Sequence, residues 1–247
     1  VPRTVIFAGK AAPDYFTAKL MIKLIHAVAE VVNADPDVRG RLKVVFLKDF
    51  NIKSAQPIYP AADLAEHISV AGTEAADTGN MIFALNGALI IGTPDGTNLE
   101  IRDAIGPDNF FQFGLTVQEV NRQRAQGYSP MAVYQANPEL KAALDLLTSG
   151  IFSQGDPELF RPLVNLLLYY DQYMLLADYA AYLACQEAVG QLYRDTEVWT
   201  RRSILSTARL GKFSSDRAVR SYCQTVWAIA PAHSSAVEYT QAKKLTS

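Results

Sequence analysis

Cysteine is nearly absent from this sequence. Only Cys185 and Cys223 occur in 247 residues, too few for a disulfide framework and without metal-ligand spacing. That argues against a cystine-stapled secreted module and a thiolate metal site, and a reducing, cytoplasmic setting is expected. An excess of one charge is lacking too: 23 Lys+Arg face 25 Asp+Glu, for a net charge of −2. No footprint for nucleic acid or an anionic membrane surface follows from that balance. The opening stretch VPRTVIFAGK has neither the layout of a signal peptide nor an apolar run long enough to cross a bilayer. It reads as a strand entered directly, which predicts that the chain begins inside a domain. No internal repeat or low-complexity linker is present. What remains is an ordinary globular composition, 49% apolar and 19% charged, with mean hydropathy +0.03. The length allows one large domain or two small ones.

Periodicity then sets the class. Residues 5–8 form a short apolar strand, and residues 15–33 carry apolar positions at helical spacing (Leu20, Leu24, Val28, Val31). The run RLKVVFL, residues 41–47, reads as a strand buried on both faces. Residues 61–69 read as a short helix opened by Pro60, residues 88–93 (ALIIGT) as a strand, and residues 109–114 (NFFQFG) as another. Helices are expected over 139–148, 159–170, 177–193, 197–210 and 215–226. Strand–helix alternation predicts an α/β fold with a doubly wound, Rossmann-like parallel sheet, followed by a helical C-terminal layer. The expected division is a core over 1–128, a helical layer over 129–231 and a loose tail over 232–247. Ligands of such sheets bind beyond the carboxyl ends of the strands.

One stretch lies at such a place and looks built for an anion: GTEAADTGNMIFALNG, residues 72–87. It has small residues, a Thr-Gly-Asn turn, a carboxylate at Glu74 and an apolar run that opens a helix. The lysine or arginine that an anion site would most need is missing.

The order of motifs resembles the C-terminal part of the α-glucan phosphorylases, the glycogen, starch and maltodextrin enzymes. The resemblance is carried in register by VPRTVIFAGKAAPDY, PAADLAEHISVAGTEA, TGNMIFALNGALIIGTPDGTNLEI, NFFQFG, ADYAAYLACQEAV, WTRRSI and GKFSSDRAV, and only the tail lies outside it. It implies a two-domain glycosyltransferase architecture with its active site in the cleft between Rossmann-like domains. It also implies phosphorolysis of α-1,4-glucosidic bonds to glucose 1-phosphate. The implied cofactor, pyridoxal 5′-phosphate, is held as a Schiff base to a lysine of the C-terminal domain, and its phosphate group takes part in proton exchange.

The family's cofactor motif reads Glu-Ala-Ser-Gly-Thr-Gly-Asn-Met-Lys, and here Glu74 to Ile82 stand in those places. By resemblance, Glu74 bonds sugar hydroxyls, and Thr78, Gly79 and Asn80 form the turn that cradles the cofactor phosphate. Three positions depart. Ile82 stands at the Schiff-base lysine and has no amine, so covalent cofactor binding is not expected. Asp77 replaces a glycine against the phosphate; a carboxylate about 4 Å from one phosphate charge costs roughly 4 kcal/mol at an effective dielectric near 20. Ala76 removes a hydroxyl available to the sugar. Upstream, Phe50 and Asn51 stand where the family has Tyr-Arg, the arginine helping to bind phosphate. The family's substrate-phosphate segment, the first strand–helix unit and the N-terminal domain correspond to nothing in this sequence.

Two explanations compete. The chain is either a phosphorylase piece that keeps the fold without the chemistry, or one fragment of a working enzyme completed by an N-terminal half on another chain. The second does not restore a lysine at position 82, so the departures favour the first. A glucan- or anion-binding module would rest on Glu74, Thr78, Gly79 and Asn80. An exposed apolar sheet edge and association through it are expected.

Other features read as structural. Lys10 lacks P-loop spacing. DGTN, residues 95–98, lacks calcium-loop spacing and reads as a turn held by side-chain–backbone hydrogen bonds. His26 falls on a mostly apolar expected helix and His67 on a short one, and neither has a cysteine or second histidine nearby, so both read as structural rather than as ligands. Phe110, Phe111 and Phe113 read as core rather than a sugar platform, Tyr169, Tyr170 and Tyr173 as helix-face packing, and Ser214 or Ser215 as a helix N-cap.

Overall fold

The computed structural model describes residues 1–72 and 78–230. The fold is α/β, with parallel strands flanked by helices. Strand β1 (Arg3–Ala8) leads through helix α1 (Phe16–Ala34) to strand β2 (Leu42–Leu47), and the two strands pair in parallel from Arg3↔Leu42 to Ala8↔Leu47. A second parallel ladder holds β3 (Leu64–His67), β4 (Leu89–Gly92) and β5 (Phe110–Gln112), with β4 in the middle. Between them run helices α2 (Ile52–Ile58), α3 (Thr78–Leu85) and α4 (Gly96–Ile105). The helical part follows as α5 (Val117–Ala125), α6 (Pro130–Ala136), α7 (Pro138–Leu147), α8 (Arg161–Tyr169), α9 (Leu175–Leu192), α10 (Thr196–Arg209) and α11 (Ser215–Tyr222), which continues into a π turn at Cys223–Trp227.

The core is centred on β4. Side chains alternate across a strand, and here both faces are apolar. Ile90 packs with Ala84, Ile101, Ile105, Phe110 and Leu210 on one side, while Leu89 and Ile91 pack with Phe113, Val189 and Trp199 on the other. Burying three such side chains supplies on the order of 5–9 kcal/mol of transfer free energy. Phe110 and Phe113 are thus core, as expected, and the half-buried Phe111 lies 6.2 Å from the Trp199 ring.

The β1–β2 pair is far barer. Of β2, only Val44 is buried, which corrects the expectation of a strand covered on both faces; α1 packs against β2, but that leaves much of the ladder open. Val5, Ile6 and Phe7 of β1 are exposed. The Asn33 side chain closes the α1–β2 unit: its Nδ2 donates to the Val44 carbonyl at 2.8 Å and its Oδ1 accepts from the Val44 N–H at 2.9 Å. His26 packs on Phe46, ring centroids 4.9 Å apart.

The two ladders meet through α9. Gln186 Nε2 and the Tyr182 hydroxyl donate to the Glu66 carboxylate of β3 at 2.6 and 2.9 Å, and Arg3 of β1 donates to the Gln186 carbonyl at 3.0 Å. Burial and the Glu66 charge push the neighbouring Cys185 thiol up to about 11.

Three further readings are corrected. Residues 61–69 are not a helix: Leu64–His67 is β3, paired with β4 from Leu64↔Leu89 to His67↔Gly92. The helix in this region comes earlier, as α2, and Pro60 belongs to a single 3-10 turn at Tyr59–Ala61. Helices α5 and α6 precede the first expected member of the helical layer. Ser214 does occupy the N-cap position of α11, as expected, although its side chain makes no capping bond. Finally, Tyr169, Tyr170 and Tyr173 do not pack: α8 buries Leu163 and Val164 and turns Tyr169 out, and all three rings are exposed.

Candidate functional site

The carboxyl ends of β3, β4 and β5 bring together the segments after His67, Gly92 and Gln112. The sequence GTPDGTN, residues 92–98, frames this end of the sheet. Asp95 is buried, and its carboxylate accepts from the Ser69 hydroxyl at 2.9 Å and from the Gly72 N–H at 2.8 Å. The loop after β3 is therefore tied down up to Gly72. Glu74, Ala76 and Asp77 lie outside the described residues.

Asn98 is the centre of the frame. It is 1% exposed, donates to the carbonyls of Thr93 at 2.9 Å and His67 at 3.2 Å, and accepts from Asn80 Nδ2 at 2.7 Å. Gly92 makes room for it: a Cβ there would stand 2.5 Å from Asn98 Nδ2 and 2.8 Å from the His67 carbonyl oxygen. The reading of residues 95–98 as a turn is corrected: Asp95 is the N-cap of α4 and Gly96 to Asn98 form its first turn. The expected side-chain–backbone hydrogen bonds are there, made by Asn98, whose side chain also clamps a second helix.

That helix is α3, which Thr78, Gly79 and Asn80 open. Thr78 is exposed, Gly79 half-buried, and Asn80 only 3% exposed because its amide is spent on Asn98. The far end of α3 is held by α10: Ser203 Oγ donates to the Gly87 carbonyl at 2.6 Å and Thr207 Oγ1 to the Ala84 carbonyl at 3.2 Å. Phe83 meets Tyr59 edge-on, centroids 4.7 Å apart. Ile82 falls elsewhere. Two residues beyond Asn80, at 100° per residue, it points to the opposite side of the helix, is half-buried, and is absent from the buried clusters that take Met81, Phe83, Ala84 and Leu85. Its carbonyl accepts from the Asn86 side chain at 2.8 Å.

No lysine of the first ladder is enclosed: Lys10, Lys19 and Lys23 are all exposed, and Lys19 Nζ is engaged by the Pro13 carbonyl at 3.1 Å. Asn51 has a folding role. It caps α2 through a capping box, accepting from the N–H groups of Lys53 at 2.9 Å and Ser54 at 3.3 Å, while the Asn51 N–H donates to Ser54 Oγ at 2.8 Å. Phe50 beside it is half-buried. Among the described residues, no group of three or more His, Cys, Asp or Glu could hold a metal ion, and no helix is long and apolar enough to cross a membrane.

A second polar cluster holds the entry to α9. Asp171 accepts from the Tyr128 hydroxyl at 2.7 Å and from the N–H groups of Leu175 and Leu176 at 2.8 and 2.9 Å. Asp178, also buried, accepts from the Leu115 N–H at 2.8 Å. Burial, then the charges of Asp171 and Glu119, push its carboxyl above the usual range, against the pull of that N–H.

A parallel α/β sheet with a helix framed at the carboxyl ends of its strands defines a Rossmann-like architecture, in which ligands bind at that end of the sheet. The comparisons with known proteins are more specific. Residues 1–229 match the family model described as carbohydrate phosphorylase, and the chain belongs to that family. It is similar to the glycogen phosphorylase of Synechocystis sp., 58% identical over 230 residues. It is also similar to the muscle form from Bos taurus, 49% identical over 231 residues, and to the brain form from Homo sapiens, 48% identical over 231 residues. These alignments cover 93–94% of this chain but only 27% of each relative, so the chain spans about a quarter of the length of the relatives it matches.

Proposed function

We propose that this chain is the cofactor-bearing portion of an α-1,4-glucan phosphorylase fold in which the covalent chemistry has been lost, so that by itself it does not carry out phosphorolysis. The observation that carries this is Ile82. Its helix is framed by Asn98 at one end and by Ser203 and Thr207 at the other, yet the side chain at the position that matches the Schiff-base lysine is hydrocarbon. The residues present do not fit covalent pyridoxal 5′-phosphate, and no step of a reaction is routed through it. Thr78 and Gly79 would remain as a phosphate-binding turn; Asp77, Ala76 and Glu74 enter this reading through the sequence alone. Asn51, at the position of a phosphate-binding arginine, caps a helix instead. On this reading residues 1–128 are the cofactor-domain core and residues 129–231 a helical layer.

One observation favours a second reading, a fragment completed by an N-terminal half. Val5, Ile6 and Phe7 present an apolar strand to solvent, as a surface made to be covered would. Covering it supplies no amine at position 82, which is why the first reading leads.

The test is borohydride reduction of the purified chain with pyridoxal phosphate, followed by intact mass and a phosphorolysis assay, with and without a phosphorylase N-terminal half. No adduct and no glucose 1-phosphate are expected. A stable single-site adduct together with product would overturn the reading and show that another lysine serves.

A further inference from the structure

The sheet is interrupted in its middle. β1–β2 and β3–β4–β5 are separate ladders, and no ladder joins β1 to β3 among the described residues. The two strands are nevertheless held side by side. Gln186 of α9 accepts the Arg3 guanidinium of β1 on its side-chain and main-chain oxygens, and its Nε2 donates to Glu66 of β3. Those ties run through long side chains rather than backbone groups. Adjacent strands lie about 4.8 Å apart and alternate strands about 10 Å, so side-chain ties without a ladder fit a gap one strand wide.

The crossovers locate the same gap. Phe46 of β2 meets His26 of α1, and Arg3 lies on that face, because it pairs with Leu42 and side chains repeat at every second residue. Helix α1 therefore crosses on the face that carries α9. Helices α3 and α4 cross on the other: Ala84, Ile101 and Ile105 pack with Ile90, whereas Leu89 and Ile91 turn to Val189 of α9. A doubly wound sheet changes faces at its switch point, and its two common strand orders are 3-2-1-4-5-6 and 2-1-3-4-5. The second order requires β1 and β3 to pair directly, which they do not. In the first, the two ladders take the places 3-2 and 4-5-6, and the innermost strand is the vacant one.

The backbone edges match this position. In a parallel ladder the N–H and C=O of one residue point to one side and those of the next residue to the other. The Arg3 N–H donates to the Arg41 carbonyl at 2.7 Å, so Arg3, Val5 and Phe7 serve β2, while Thr4, Ile6 and Ala8 aim at the gap. On β3, the Asp63 and His67 carbonyls serve β4, which aims Leu64 and Glu66 at the gap. The outer edge of β2 is occupied by contrast, since the Asn33 side chain closes on both backbone groups of Val44.

We propose that the gap between β1 and β3 is an acceptor site for a parallel β-strand supplied from outside residues 1–247 and carried on a strand–helix unit. It does not depend on the chemistry at position 82, and it gives the second reading above a definite place of contact. The surroundings describe the strand that fits. It is four to six residues long, to match β3 and β1, and apolar on both faces, as the central strand of a parallel sheet is. It has no internal proline, because it must donate along both edges. Filling the gap joins the two ladders into one sheet and brings a neighbour to β1, whose last five residues are exposed.

The test titrates the full chain with a synthetic strand–helix peptide of about 30 residues, taken from the Synechocystis relative immediately ahead of the region that this chain matches. Amide hydrogen exchange maps the contact. Saturable binding is expected, with exchange slowed about tenfold or more at Thr4, Ile6, Ala8, Leu64 and Glu66 and little changed at Val5 and Phe7, which already serve β2. The same peptide, N-methylated at the strand amides along one edge, should lose binding, and that control leaves the folding of the chain untouched. No binding, binding indifferent to N-methylation, or slowing confined to β2 or β5 overturns the inference. So does the same slowing in the chain alone at rising concentration, which would put a second copy in the gap. A covalent adduct in the borohydride experiment would sink the proposed loss of chemistry while leaving this result standing.

Discussion

Replacing Asn98 by alanine tests whether the frame around α3 is a folding device. Three hydrogen bonds disappear together, but they are not equivalent. The His67 carbonyl still accepts from the Thr93 N–H at 3.3 Å, and the Thr93 carbonyl from the Asp95 N–H at 2.8 Å. Each of those losses costs about 1 kcal/mol, whereas stranding the buried Asn80 amide costs about 1–3 kcal/mol, for a total of about 3–5 kcal/mol. Asn80→Ala breaks only the shared bond and leaves the Asn98 carbonyl oxygen short of a donor, a loss of about 1–3 kcal/mol. The double variant then has nothing left to strand between the two positions. Its loss should fall short of the sum of the singles by about 1–3 kcal/mol, the range expected for residues in direct contact. Urea unfolding followed by circular dichroism, with the denaturant slope held constant across the four proteins, reads out the cycle. A loss below about 1 kcal/mol for Asn98→Ala, or strict additivity, would refute the argument, because both follow only if water or neighbouring groups already serve these amides.

Other outcomes follow from the same geometry. Gly92→Ala places a methyl against Asn98 and the His67 carbonyl; a loss of about 1–3 kcal/mol or more is expected from such overpacking, measurable as a lower melting temperature. Thr116→Ala removes the α5 capping box, in which Thr116 and Glu119 bond reciprocally, and should cost about 1 kcal/mol; in the same variant the Glu119 carboxyl, now held low chiefly by the Thr116 N–H and hydroxyl, should titrate nearer its ordinary value by NMR. Asp178 titrates the other way. Its folded pKa is raised, so the folded state holds the proton more tightly and stability falls as pH rises from the ordinary carboxylate range through the raised value. The stability of the native chain minus that of Asp178→Asn should therefore become less favourable across that window, and a difference that grows more favourable would show that the Leu115 N–H outweighs burial. Ile6→Lys, on the bare face of β1, should reduce self-association in sedimentation velocity, and an unchanged profile would mean that association runs through another surface.

Much of the fold can be read in the sequence, and the misreadings have physical causes. The helix at α1 and the strand at β4 are clearly patterned, so local spacing and burial agree, whereas α9 is apolar nearly all round and is legible from its length and composition instead. Residues 61–69 are not: LAEH offers too few positions to separate a period of two from one of 3.6, and its strand state is decided by pairing with β4, which is remote in sequence. The helices α2 and α5 did carry a local signal. Asn51 with Ser54, and Thr116 with Glu119, stand at capping-box spacing, a mark more informative than the short apolar runs behind it. At the site, the Thr-Gly-Asn turn and the absence of an amine at 82 are legible from residue order. That Asn80 is committed to Asn98 is not, since a contact across 18 positions leaves no periodic trace. The tyrosines failed for a simpler reason: aromatic residues near a helix end suggest packing, but which way a turn faces depends on the buried Asp171 and Met174.

The clamp between Asn80 and Asn98 separates inheritance from use. Both amides are enclosed and share a hydrogen bond, so a chain that abandons catalysis still loses stability if either is removed. Purifying selection for solubility alone would hold Asn80, Gly92 and Asn98 in place long after the reaction had gone. On the proposed reading, a recognisable Thr-Gly-Asn motif is then a record of folding constraint, and residues such as the one at position 82, which the framework does not need, are where a loss of chemistry shows.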